Sequence, residues 1–185
     1  MCSPAPSLVA RPALATELAP ETPRPPGLAP VIDRHTRLVV LGSFPGQASL
    51  AAGEYYAHPC NQFWPLLSAL WQTDLRALPY ARRLEAMLSH GVGLWDVYAT
   101  CLRKGSLDSA IRDAEFNDLA GLRHTAPGLR AVAHNGAESA KAARFTQGLE
   151  LAVARLPSTS PAHASWNFER KLAAWREIFT VHGLA

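Results

Sequence analysis

Cysteine and lysine are both scarce in this chain. Its three cysteines, Cys2, Cys60 and Cys101, have no paired spacing, which argues against a disulfide framework and against a structural zinc site built from close ligand pairs. Lysine occurs only at Lys104, Lys141 and Lys171. Positive charge is therefore carried by arginine, whose planar fork of donors suits phosphate. No apolar run approaches the roughly 18 residues that span a bilayer. The first residues lack the charged start and apolar centre of a secretory signal. A Gly-x-Ser-x-Gly elbow is missing too, which leaves a serine hydrolase poorly supported. There is no internal repeat. These absences point to a cytoplasmic protein without a membrane partner, a metal or a cofactor.

What is present suits a folded domain. The chain has 185 residues, 48% hydrophobic and 18% charged, with a formal net charge of +3. That length supports one domain with a sizeable core, and the composition argues against disorder. The mild basic excess permits a nucleic-acid partner without demanding one. Residues 1–32 are rich in Pro and Ala, including Pro23-Arg24-Pro25-Pro26-Gly27. Such a stretch continues neither a helix nor a central strand, and it reads as a poorly ordered leader to a single domain over 33–185.

Within that domain, Arg37–Leu41 reads as a buried strand, and Gly42-Ser43-Phe44-Pro45-Gly46 as the turn that ends it. Apolar spacing predicts helices over Gln62–Gln72 and Ala81–Ser89. A strand is expected over Gly93–Tyr98, then a loop from Arg103 to Asp108 and a helix over Phe116–His124. The third strand is Leu129–His134, stopped by Asn135-Gly136. A helix over Ala137–Phe145 and a strand over Leu149–Leu156 follow. Pro157-Ser158-Thr159-Ser160-Pro161 then leads to a last helix over Trp166–His182. Strands alternating with helices argue an α/β domain: a three-layer sandwich around a four-stranded, largely parallel sheet. Right-handed crossovers would bring the four strand ends to one edge, where ligands bind in open α/β sheets.

The ordered set Gly42-Ser43-Phe44-Pro45-Gly46, Tyr55-Tyr56-Ala57-His58-Pro59-Cys60-Asn61-Gln62-Phe63-Trp64, Gly93-Leu94-Trp95-Asp96-Val97, Asn135-Gly136 and Leu156-Pro157-Ser158-Thr159-Ser160-Pro161-Ala162 resembles the uracil-DNA glycosylase superfamily. Within it, the set is most similar to the hypoxanthine (deoxyinosine) DNA glycosylase branch. Well-known members carry a catalytic Asp or Asn inside the first turn. Here Phe44 stands there and can neither hold nor activate a water. The resemblance implies that the working amide is Asn61, and it makes Asn135 a second functional Asn. The implied activity is hydrolysis of the N-glycosidic bond of deoxyinosine in DNA, with deoxyuridine as a second substrate, by a monomeric enzyme.

Such chemistry requires the damaged base to leave the duplex. A stacking wall is then needed, which Phe63 or Tyr56 can supply. Backbone groups of Gly42, Ser43, Phe44, Pro45 and Gly46 can approach the base edge. Asn135, both donor and acceptor, can read a lactam. Asn61 is no strong base, but its amide oxygen can orient a water towards C1′. Ser158, Thr159, Ser160 and Pro161 suit a phosphate-holding loop. His163 is placed to probe the gap left by the base, and Arg103 and Lys104 to contact the DNA backbone. The five segments contain no Lys, which disfavours Schiff-base lyase chemistry.

Each residue also has a structural reading. Asn61 can cap the helix that follows it, and Ser158–Ser160 can cap the last helix. Asn135-Gly136 can be a simple turn, and Phe63, Trp64 and Trp95 can be core. Asp96 can cap or brace a loop, and His58 can be an exposed loop histidine rather than a proton donor. Arg103 and Lys104 can be a solvated edge. Two rival functions follow: a catalytically silent nucleic-acid binding module with the same pocket, and a hydrolase of free nucleosides.

Overall fold

The computed structural model describes residues 24–185. The elements run β1 (Leu38–Gly42), α1 (Gln47–Ala52), α2 (Phe63–Trp71), α3 (Tyr80–Ser89), β2 (Val92–Asp96), β3 (Tyr98–Leu102), β4 (Arg112–Phe116), α4 (Leu122–Thr125), β5 (Ala131–Asn135), α5 (Ala137–Ala140), α6 (Ala143–Gln147), β6 (Ala152–Leu156) and α7 (Phe168–Val181). The main sheet has the order β2-β1-β5-β6, and every pairing in it is parallel.

Alternate residues of each strand face opposite layers. Leu38 and Val40 of β1 pack with Leu66, Leu67, Trp175 and Phe179, which puts α2, α3 and α7 on one face. Val39, Leu41 and Val132 face the other way, against Tyr98, Cys101, Leu119 and Leu122. Both faces are covered, which is why β1 (LVVLG) and β5 (AVAHN) are buried at every position and read as continuous apolar runs. The expected three-layer architecture with a parallel four-stranded sheet is the one observed.

Several local expectations are corrected. Gly93–Tyr98 is not one strand: Val97 separates β2 from β3, which pairs antiparallel with β4. The helix expected over Phe116–His124 is only Leu122–Thr125, and Phe116 ends β4 instead. Strand β4 was illegible because only Ala114 of its five residues is even partly buried, so it carries no apolar alternation. Helix α1 falls in a stretch that the sequence left unassigned. The single helix expected over Ala137–Phe145 is two short ones, divided at the fully buried Ala142.

The expected leader is corrected in part. Residues 1–23 lie outside the described residues, but 24–32 run along the open edge of β2 and β3. Val31 exchanges both backbone hydrogen bonds with Leu94, at 2.8 and 2.9 Å, and the Gly27 amide donates to the Ala99 carbonyl at 2.8 Å. Proline is tolerated on such an edge, where its missing N–H is not needed.

Candidate active site

Parallel pairing in register places the strand ends together: Gly42 lies opposite Asp96, and Asn135 opposite Leu156. The chain crosses from β1 to β2 on one side, then returns past β1 to β5. This reversal makes a topological switch point between β1 and β5, where crevices form in open α/β sheets. A cavity of about 820 Å³ opens there, within the usual range for small-molecule sites. It is lined by the whole first turn Gly42–Gly46, by Tyr56, His58, Asn61, Asp96, Asn135 and Gly136, and by the Ser158–His163 loop.

The first turn is held from outside the cavity. The Arg103 guanidinium donates to the carbonyls of Phe44, at 3.2 Å, and of Pro45, and it lies over the Phe44 ring at 5.1 Å. Its side chain is only 4% exposed. Ser43 Oγ donates to Asp108 Oδ1 at 2.7 Å, and the Gln47 amide donates to Ser106 Oγ at 3.0 Å. The loop after β3 is therefore laced onto the turn after β1. Arg103 is not placed to contact a DNA backbone, because its side chain is buried against the first turn and bonded to two of its carbonyls. Lys104 is exposed and outside the cavity lining.

Asn61 is half-buried at the cavity wall. Its Oδ1 accepts the Phe63 amide at 2.9 Å, and its backbone N–H donates to the His58 carbonyl at 2.9 Å. Gln62 is the N-cap of α2 and makes no side-chain capping bond; Asn61, one residue before it, instead satisfies the first amide of the helix, and this bond fixes its direction. A carbonyl oxygen has two lone pairs, so one acceptor position of Oδ1 is left for a water.

Phe63, expected as a stacking wall, is fully buried in the core. It does not reach the cavity and instead supports Tyr56 from behind, ring centroids 4.6 Å apart. Tyr56 lines the cavity itself. Phe44 is almost wholly buried, packed under Arg103, and borders the space.

Asn135 is engaged on every side of its amide. Nδ2 donates to the Tyr56 hydroxyl and to Thr159 Oγ1, each at 2.9 Å, and Oδ1 accepts the Thr159 amide at 2.9 Å. With both amide hydrogens taken, it cannot donate directly to a base edge; it positions Tyr56 and the loop after β6. Gly136 has φ 107° and ψ 176°, and a Cβ there would meet the Ser158 Cβ at 2.9 Å. Glycine is required for the two loops to approach this closely.

The loop after β6 is corrected at one residue. Thr159 is fully buried and its carbonyl accepts the Gln62 amide at 2.9 Å, so it ties β5, β6 and α2 together rather than facing phosphate. Ser158, Ser160, Pro161 and His163 do border the cavity. The last helix is capped by Asn167, whose side chain accepts the Arg170 amide at 2.9 Å. That removes the N-cap reading of Ser158–Ser160.

Asp96, expected to cap or brace a loop, leaves one carboxyl oxygen free of any protein partner. It is 2% exposed and lines the cavity, and its Oδ2 has no hydrogen-bond partner. Burial pushes its carboxyl up to about 7; the Tyr55 hydroxyl and the Arg103 charge pull down, and Asp108 pushes up. The position of Asp96 at a predicted strand end, level with Gly42, was the available signal. Asp108 and Ser106 carried none, since their role arises from a loop packing across the sheet edge. Behind the cavity, His134 is fully buried between Ser139 and Thr146. Burial lowers its pKa to about 4, with Ser139 opposing.

Comparison with known proteins gives a consistent result. The family model described as the uracil DNA glycosylase superfamily matches residues 29–179. A hypoxanthine DNA glycosylase of Methanosarcina barkeri is 37% identical over 153 residues, covering 83% of this chain and 96% of that protein. One of Methanosarcina acetivorans is 33% identical over the same shares of each chain. A solution NMR structure of a Methanosarcina acetivorans protein superposes with a TM-score of 0.78 at 32% identity. It covers 85% of this chain and 98% of the other.

Proposed function

This chain belongs to the uracil DNA glycosylase superfamily, and on that premise we propose that it excises hypoxanthine from deoxyinosine in DNA by hydrolysis. The observation that carries the reading is the cavity at the switch point, with the Asn61 amide fixed on its wall. A base that leaves the duplex enters between Tyr56 and the first turn. Unpairing and unstacking it costs a few kcal/mol, and stacking on an aromatic ring returns roughly 1–3 kcal/mol.

Once the C1′–N9 bond has lengthened, charge develops on both sides of it. Asn61 Oδ1, held by the Phe63 amide, directs a water onto the cation-like C1′. The turn Gly42–Gly46, held from behind by Arg103, Ser106 and Asp108, does not shift as charge grows on the base. Such preorganised dipoles stabilise a departing anion without reorganising. Asn135 keeps Tyr56 and Thr159 in place. Ser158, Ser160 and His163 lie on the rim, where the backbone flanking the lesion would pass. A cytoplasmic monomer acting on deaminated DNA, with deoxyuridine as a second substrate, completes the proposal.

The test uses a duplex containing one deoxyinosine, incubated with equimolar protein and then treated with alkali. Strand cleavage at that site is expected. Binding without base release would leave the silent-module reading in its place, and turnover of free deoxyinosine would favour the nucleoside hydrolase.

A further inference from the structure

Asp96 Oδ2 is the unexplained atom of this cavity. A buried carboxyl oxygen without a partner is costly, and such an atom in a native structure calls for a reason. Asp96 closes β2 directly opposite Gly42. A Cβ on Gly42 would collide with Asp96 Oδ1 and come within 3.1 Å of the Tyr56 hydroxyl. The absence of a side chain at Gly42 thus lets both the carboxyl and the tyrosine hydroxyl approach the end of β1 in the cavity wall. Neighbouring groups do not complete the carboxyl. The Tyr56 hydroxyl accepts from Asn135 and keeps its own proton, yet it makes no hydrogen bond to Asp96 Oδ2. Arg103 is held by the carbonyls of Phe44 and Pro45 and is 3.9 Å from Asp108. Among the described residues, Asp96 has no salt bridge. The remaining polar neighbour, Tyr55, donates its hydroxyl to the Leu28 carbonyl at 3.3 Å; it lies near enough to lower the carboxyl pKa but leaves Oδ2 without a partner.

We infer that Asp96 is a second catalytic residue, an acid whose Oδ2–H donates to a ring nitrogen of the departing purine. This rests on the hydrolysis proposed above. As the C1′–N9 bond breaks, both its electrons go to the base, and the Asp96 proton passes to the purine. Water supplies hydroxide to C1′, and its other proton returns to the Asp96 carboxylate through solvent. Deoxyinosine and water give hypoxanthine and a sugar hydroxyl, with Asp96 restored. The raised carboxyl pKa, near neutrality, is the value at which an acid of this kind works best.

Single-turnover excision from a deoxyinosine duplex, measured from pH 5 to 9, tests the assignment. Wild-type protein should lose rate about tenfold per pH unit above pH 7, as the acid form disappears. Asp96→Asn should be slower by about 10²–10⁴-fold and lack that falling limb, while binding a duplex with an uncleavable 2′-fluoro deoxyinosine as wild type does. Asp96→Glu restores an acid and should restore the limb at a reduced rate. Asp96→Asn at the wild-type rate, or a wild-type rate flat from pH 6 to 9, overturns the assignment and leaves the activity standing. A wild type that releases no hypoxanthine at any pH overturns both.

Discussion

At the scale of single residues, Asn61 puts an observed structural role and a proposed chemical one on the same atom. Its Oδ1 satisfies the first amide of α2, that of Phe63, and the same bond aims the side chain. Asn61→Ala removes both roles, whereas Asn61→Asp keeps an acceptor for that amide. We expect Asn61→Ala to lose about 1 kcal/mol of stability and about 10²–10⁴-fold in excision rate. Asn61→Asp should recover the stability in thermal melts. If both variants excise at the wild-type rate, the residue supports the start of α2 and nothing more. Gly136 poses a sharper steric question, because its φ is 107° and Ser158 leaves no room for a Cβ. Gly136→Ala should destabilise the fold by about 1–3 kcal/mol and push Ser158 outward. Chemical denaturation would report the first effect, and weakened binding of lesion-containing duplex the second.

At the scale of elements, the β3–β4 ribbon and the loop joining its strands form a clamp on the first turn. Arg103 at the end of β3 holds Phe44 and Pro45, while Ser106 and Asp108 hold Gln47 and Ser43. This decides between two uses of an arginine. An arginine on phosphate contributes to the salt dependence of binding, about one unit of slope per contact. One that clamps a turn does not. Arg103→Met should therefore lower the excision rate and thermal stability but leave the salt dependence of DNA binding unchanged. A slope reduced by about one unit would restore the backbone-contact role to Arg103.

At the scale of the whole molecule, two buried groups tilt stability in opposite directions with pH. Asp96 has its carboxyl pKa raised from 3.8 to about 7. Its contribution is complete below pH 3.8 and is lost as pH rises towards 7. His134 has its pKa lowered from 6.5 to about 4. Its contribution is complete above pH 6.5 and is lost as pH falls towards 4. The windows overlap, so each masks the other. Asp96→Asn should raise the melting temperature above pH 7, where the wild type buries a charge. That gain should shrink on acidification and vanish near pH 4. A gain that stays constant with pH would mean that Asp96 does not titrate within the fold. The same sheet that buries both groups also places them back to back: Asp96 at the cavity end of β2, and His134 under β5, towards α5 and α6.

Local sequence was enough to determine the strands that face helices on both sides, since burial on two faces demands unbroken apolar runs such as Leu38–Leu41 and Ala131–Ala133. It also determined the order of turns at their ends, because Gly42–Gly46 and Asn135-Gly136 break a strand wherever they occur. Tertiary structure alone decided which polar atoms face the cavity. Phe63 and Thr159 went into the core, Arg103 turned inward to the first turn, and Asn135 was taken up by Tyr56 and Thr159. Composition and spacing say which groups a segment carries. Whether an amide or guanidinium is left over for a ligand depends on partners that lie between 24 and 79 residues away, and those meet only when the sheet edge is assembled.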